Sequence, residues 1–164
     1  MIFLFVLLSL WSFINCQYVF RQSLTYAANY IEVDETGDYA IIAEDQTIIV
    51  IEYTGFIFLF SYDLSLPCTL SSMNYENGNL VIGCGTSIVQ YAFSTSALTD
   101  IQNVTVPSTV MAIDIHSTEM IAAGALDGKL IILDGSTQTI QASPDPLECV
   151  AISDDKSIVV TGGQ

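Results

Sequence analysis

At 164 residues the chain is long enough for one ordinary domain, and with 51% apolar residues it can bury a large core, which argues against disorder. Eighteen Asp and Glu face only Arg21, Lys129 and Lys156, for a formal net charge of −15. Such a surface repels phosphate backbones and anionic lipid headgroups, so it argues against nucleic acid and against a basic membrane-docking patch; basic proteins, cationic ligands and divalent cations remain open.

No charge precedes Arg21. Residues 2–14 form an apolar run of 13, the length of a secretory signal core and too short to span a bilayer comfortably. Asn15, Cys16 and Gln17 break the run. Cleavage after Cys16 would make residues 1–16 a signal peptide and residues 17–25 an N-terminal segment. The competing reading is a buried strand or an uncleaved anchor, because no Lys or Arg precedes the run and Ile14 is not a small residue.

From residue 26 onward one pattern recurs: an apolar strand, a polar turn, a second apolar strand ending in Gly or Ala, a tight turn and a third apolar strand. In the first unit, residues 30–33, 39–43 and 47–53 (TIIVIEY) are strands, with Gly37 in the first turn and Asp45 in the second. Thr54-Gly55 turn into a fourth strand, FIFLFSY. Across the block IIVIEYTGFIFLF, interrupted by Glu52 and Gly55, the β-branched and aromatic content favours strands over a membrane helix, and the near-continuous apolarity means that both faces are covered. In the second unit residues 69–75 and 80–84 flank Glu76-Asn77-Gly78, a strong hairpin signal. Residues 88–93 follow as the third strand, and residues 94–106 hold a looser fourth. The third unit has strands at 110–115, 120–125, 130–134 and 137–142, ended by Pro144-Asp145-Pro146. The fourth unit supplies strands at 149–152 and 157–161.

Asp45, Gly85 and Asp127 each stand three places before the first apolar residue of a third strand (Ile48, Ile88, Leu130), at steps of 40 and 42 residues. Several strands per unit at that period mark the blades of a β-propeller. The expected fold is all-β: a propeller arc of about three and a half four-stranded antiparallel blades over residues 26–164, with blades near 26–64, 68–106, 109–143 and 147–164.

The segment MAIDIHSTEMIAAGALDGKLIILD resembles a WD40-type repeat, and divergent YVTN-type repeats are similar to about the same degree. The Gly-His that often opens such a unit is absent, and the closing Trp-Asp stands here as Leu133-Asp134. The resemblance implies radial blades around a channel, partner docking on the rims and no shared catalytic residues. Closed rings need more blades, and the next marker of the series would fall just past Gln164. The arc is therefore expected to be part of a longer, closed propeller. The alternatives are assembly with another chain, or completion of the last blade by residues 19–24.

The chemistry-bearing residues are few. His116, the only histidine, is expected at a solvated turn tip, because no nucleophile element accompanies it. One His and scattered Cys lack zinc-ligand spacing, and the acids at 34–38 and 44–45 lack the alternation of a calcium loop. No catalytic, metal or cofactor residue is expected. Phe56, Phe58, Phe60 and Tyr62 form either a docking edge or a blade edge covered by neighbouring structure. Cys68 opens one strand and Cys84 closes its hairpin partner, so a bridge between them is geometrically open; buried thiols are the alternative. Cys149 has no matching partner. Asn103-Val104-Thr105 is a glycosylation sequon, expected in a polar connection.

Together these features describe a non-catalytic protein-interaction module, secreted or lumenal, with protein partners, without nucleic acid, and without membrane insertion once the signal is removed. The alternative is part of a larger extracellular propeller enzyme or receptor ectodomain whose functional residues lie elsewhere.

Overall fold

The computed structural model describes residues 28–34, 36–52, 57–64, 69–116 and 120–163. These form fourteen strands. The first sheet holds β1 (Tyr30–Val33), β2 (Tyr39–Glu44), β3 (Thr47–Glu52) and β4 (Ile57–Asp63). The second holds β5 (Leu70–Glu76), β6 (Asn79–Cys84), β7 (Ser87–Ser94) and β8 (Ala97–Thr105). The third holds β9 (Val110–His116), β10 (Met120–Ala125), β11 (Lys129–Asp134) and β12 (Thr137–Gln141). Each is an antiparallel meander in sequence order, and β13 (Leu147–Ile152) pairs with β14 (Val159–Gly163) as a two-stranded fourth. No helix among the described residues is long and apolar enough to cross a membrane.

The first strands of successive sheets touch (β1 with β5, β5 with β9, β9 with β13), while the outermost strands β4 and β8 barely meet. The sheets therefore converge on their first strands and splay outward, which is the geometry of propeller blades. The core lies between blades rather than inside one. Ile41, Ile48 and Val50 of the first blade meet Met73, Leu80, Ile82 and Tyr91 of the second. Val81 and Ile88, on the other face of the second blade, meet Ile113, Ile121 and Ile131 of the third. Ala122 and Leu130 of the third meet Leu147, Val150 and Val159 of the fourth. Middle strands are thus covered on both faces, which is why IIVI and MIAAGA carry almost no polar residue. The outer strands β4, β8 and β12 lie mostly in solvent.

The recurrent Gly or Ala near the end of the second strand has a packing cause. β5, β9 and β13 each begin with a bulge, at Ser71, Met111 and Glu148. Val110 and Leu147, at the bulged starts of β9 and β13, press into the preceding blade. A Cβ on Gly83 would stand 2.7 Å from Val110 Cγ1, and one on Gly124 would stand 2.8 Å from Leu147 Cβ and 2.9 Å from the Leu147 carbonyl oxygen. Glycine at these places is what lets the next blade approach.

Two expectations are corrected. Cover on both faces holds for β3 but fails for β4, an outer strand whose Ile57 and Phe58 are exposed because the blades splay apart there. The turn between β10 and β11 is one residue longer than its counterparts, and positive φ falls on its Gly128 (+75°), as on Asp45 (+51°) and Gly85 (+57°) in the other blades. β8 is a regular strand of nine residues paired along β7, with one bulge at Ile101. Asn103 therefore sits within a strand, opposite Val89, and not in a connection.

Candidate functional site

The first strands of the first three blades each carry a polar residue at the same register: Glu32 opposite Ile41, Asn74 opposite Val81, and Asp114 opposite Ala122. They form a ladder across the blades. Asn74 Nδ2 donates to Asp114 Oδ1 at 2.8 Å, and the Ile152 amide of the fourth blade donates to Asp114 Oδ2 at 2.7 Å. Asp114 Oδ1 also accepts from the Ile115 amide at 3.0 Å. One carboxylate therefore satisfies donors from three consecutive blades. Burial first, and then the charge of Asp114, pushes the Glu32 carboxyl above its ordinary value.

A second ladder runs two residues further along β5 and β9. His116 is not at a solvated turn tip. It is the last residue of β9, its side chain 23% exposed, with Nδ1 3.1 Å from Glu76 Oε1 and Nε2 2.6 Å from the Asp154 carbonyl oxygen. The strand runs one residue longer than its apolar pattern indicates because these cross-blade contacts hold it. Both ring nitrogens face acceptors, so the arrangement is an imidazole joining blades and not a base aimed at a nucleophile.

Asp34 caps a turn. Burial pushes its carboxyl up, but the Thr36 hydroxyl and the Tyr39, Thr36 and Asp38 amides together hold it below the usual value. Among the described residues no group of three His, Cys, Asp or Glu is placed to hold a metal ion. On β4, Leu59, Phe60 and Tyr62 pack into the contact between the first and second blades, Tyr62 edge-on to Tyr91 with ring centroids 5.5 Å apart, while Ile57 and Phe58 are exposed. The covered-edge reading thus holds for Phe60 and Tyr62; Phe56 lies outside the described residues. Cys84 is disulfide-bonded and Cys149 is a free, exposed thiol; Cys16 and Cys68 lie outside the described residues, as does the N-terminal apolar run.

The fourth blade has two unlike faces. Val159 packs against the third blade, so Val160 points the other way. Val160 pairs with Ala151 at the register that Ile41, Val81 and Ala122 occupy in the other blades. Those three are 0% exposed, each covered by the following blade, whereas Val160 is 61% exposed. Gly162 stands where Gly83 and Gly124 receive the next blade, with Cys149 Sγ its close neighbour.

The ladders escaped sequence reasoning, although a signal was present: Asn74 and Asp114, and Glu76 and His116, each lie 40 residues apart at the repeat period.

No family model and no curated protein matches the chain. Among solved structures it is similar to a chain in the crystal structure of the mitotic checkpoint complex, with TM-score 0.70 and 14% identity over 81% of this chain and 44% of that one. Hsv2 of Kluyvelomyces marxianus gives 0.68 and 11% over 85% and 46%. The β-propeller domain of Cps50 (Swd1) from Myceliophteria thermophila gives 0.69 and 12% over 81% and 46%. The chain spans less than half the length of each. At these identities the likeness is one of fold, and it agrees with the sheet order, the converging first strands and the repeat period: the described residues fold as a partial β-propeller of three four-stranded blades and two strands of a fourth.

Proposed function

We propose that this chain is part of a non-catalytic protein-interaction module of a secreted or lumenal propeller protein, with partners docking on the outer strands of the blades. One observation carries the reading: the outer strand of each four-stranded blade exposes a large apolar side chain, Phe58 on β4, Ile101 on β8 and Ile140 on β12. The proteins it resembles include one named as part of a multiprotein complex.

Secretion is supported by the apolar run at residues 2–14, by the disulfide at Cys84, which belongs to an oxidising compartment, and by the exposure of Asn103 on an outer strand, where a glycan fits. Cys68 is the proposed partner of Cys84: it lies two residues before Leu70, which stands opposite Cys84. Alkylation of the unreduced protein is expected to label Cys149 and spare Cys68 and Cys84; labelling of all three rejects the bridge.

The docking reading is tested by recovering the tagged protein from the secretory pathway of its own cells and comparing bound proteins across variants. Phe58→Asp, Ile101→Asp and Ile140→Asp combined are expected to lose partners that the wild type and Thr139→Ala retain. Identical partner sets in all three proteins would sink the docking surface. Peptide N-glycosidase is expected to lower the mass of the wild type and leave Asn103→Gln unchanged; no mass change in the wild type rejects the glycan.

A further inference from the structure

We propose that His116 is a proton-operated clamp tying the fourth blade to the second and third. The imidazole lies between Glu76 Oε1 at 3.1 Å, on the last residue of β5, and the Asp154 carbonyl oxygen at 2.6 Å, in the turn from β13 to β14. Both neighbours are acceptors. A neutral imidazole has one N–H and satisfies one of them; the imidazolium has two and satisfies both. A single ring therefore bonds three blades only when protonated. In the neutral state the charge-assisted bond to Glu76 keeps the proton on Nδ1, and the Nε2 lone pair then faces the Asp154 oxygen.

Among the described residues, the charged groups acting on the ring are Glu76 on β5, which favours the imidazolium, and Lys156 in the β13–β14 turn, which opposes it. On its own strand, Asp114 is engaged by Asn74 and the Ile152 amide. The Asp154 carbonyl first, and then Glu76, hold the imidazole pKa above its ordinary 6.5, against burial and Lys156. The sign follows from linkage: the clamp contributes fully below the unfolded value and is lost as pH rises through the folded one. The Asp114–Ile152 bond and the apolar contact of Leu147, Val150 and Val159 persist throughout. Deprotonation therefore loosens the β13–β14 turn without releasing the blade, whatever covers Val160.

Because His116 is the only histidine, its ring protons give one NMR titration in the full-length chain. The midpoint is expected above the ordinary value of about 6.5 and lower in Glu76→Gln, which keeps an acceptor but removes the charge. Amide exchange across residues 153–158, corrected for intrinsic pH dependence, is expected to quicken about fivefold from pH ~5.5 to ~8.5, the factor one hydrogen bond of ordinary net strength makes in an opening equilibrium. In His116→Gln that dependence is expected to vanish. A wild-type midpoint at or below the ordinary value, or the same pH dependence in His116→Gln, overturns the proposal. Should His116→Gln fail to fold, the wild-type and Glu76→Gln midpoints still decide: equal midpoints overturn it.

Discussion

Gly124→Val is expected to destabilise the protein by about 3 kcal/mol, at the upper end of what overpacking a closed interior costs. The first added carbon alone would stand 2.8 Å from Leu147 Cβ, 2.9 Å from the Leu147 carbonyl oxygen and 3.1 Å from Val150 Cγ2. Two of these are atoms that no rotamer change removes, so relief requires the third and fourth blades to separate. Separation exposes Ala122, Leu130 and Leu147, which are now buried between them. The measurement is urea unfolding: the midpoint falls with little change in slope, while Thr139→Ala on exposed β12 stays within about 0.5 kcal/mol of wild type. A Gly124→Val midpoint equal to wild type would show that this notch does not set blade spacing. Gly83→Val makes the parallel case, with Val110 Cγ1 at 2.7 Å.

The second large effect is expected from Asp114. Asp114→Ala removes three hydrogen bonds and leaves the Asn74 amide and the Ile152 N–H without their acceptor, for a loss of about 2 kcal/mol, since stranded half-buried donors cost more than a bond contributes net. Asp114→Asn is informative because it keeps shape and volume. Its one oxygen can still face the Ile152 N–H, and its amide nitrogen then meets Asn74, whose side-chain amide flips to offer Oδ1 as acceptor. It is therefore expected to lose much less than Asp114→Ala. Equal losses in Asp114→Asn and Asp114→Ala, by the same urea measurement, would mean that the ladder does not act by satisfying donors.

The apolar periodicity of the chain was sufficient for the strands of all four blades, because a middle strand covered on both faces leaves an unmistakable run such as IIVI, and turns that need positive φ leave Asp45, Asn77 and Gly85. It was weaker at the outer strand β8, whose solvent-facing residues alternate poorly and whose regularity comes from its backbone pairing with β7. It also misplaced His116, because a strand end held by Glu76 and Asp154 has no local signature: the partners lie 40 and 38 residues away.

What the sequence by itself determined is the repeat, and with it the blade: a period near 40 residues, hairpin turns, and a small residue closing each second strand. The physical reason is local, since side-chain alternation, turn conformation and burial on two faces each constrain the residue that carries them. Only the tertiary structure decided what the small residues and the scattered polar ones are for. Gly83 and Gly124 are notches for Val110 and Leu147, and Asp114 serves donors from three blades. Those roles arise between blades, from residues far apart in the chain. A pattern read within one repeat unit does not contain the neighbour that gives its residues their work.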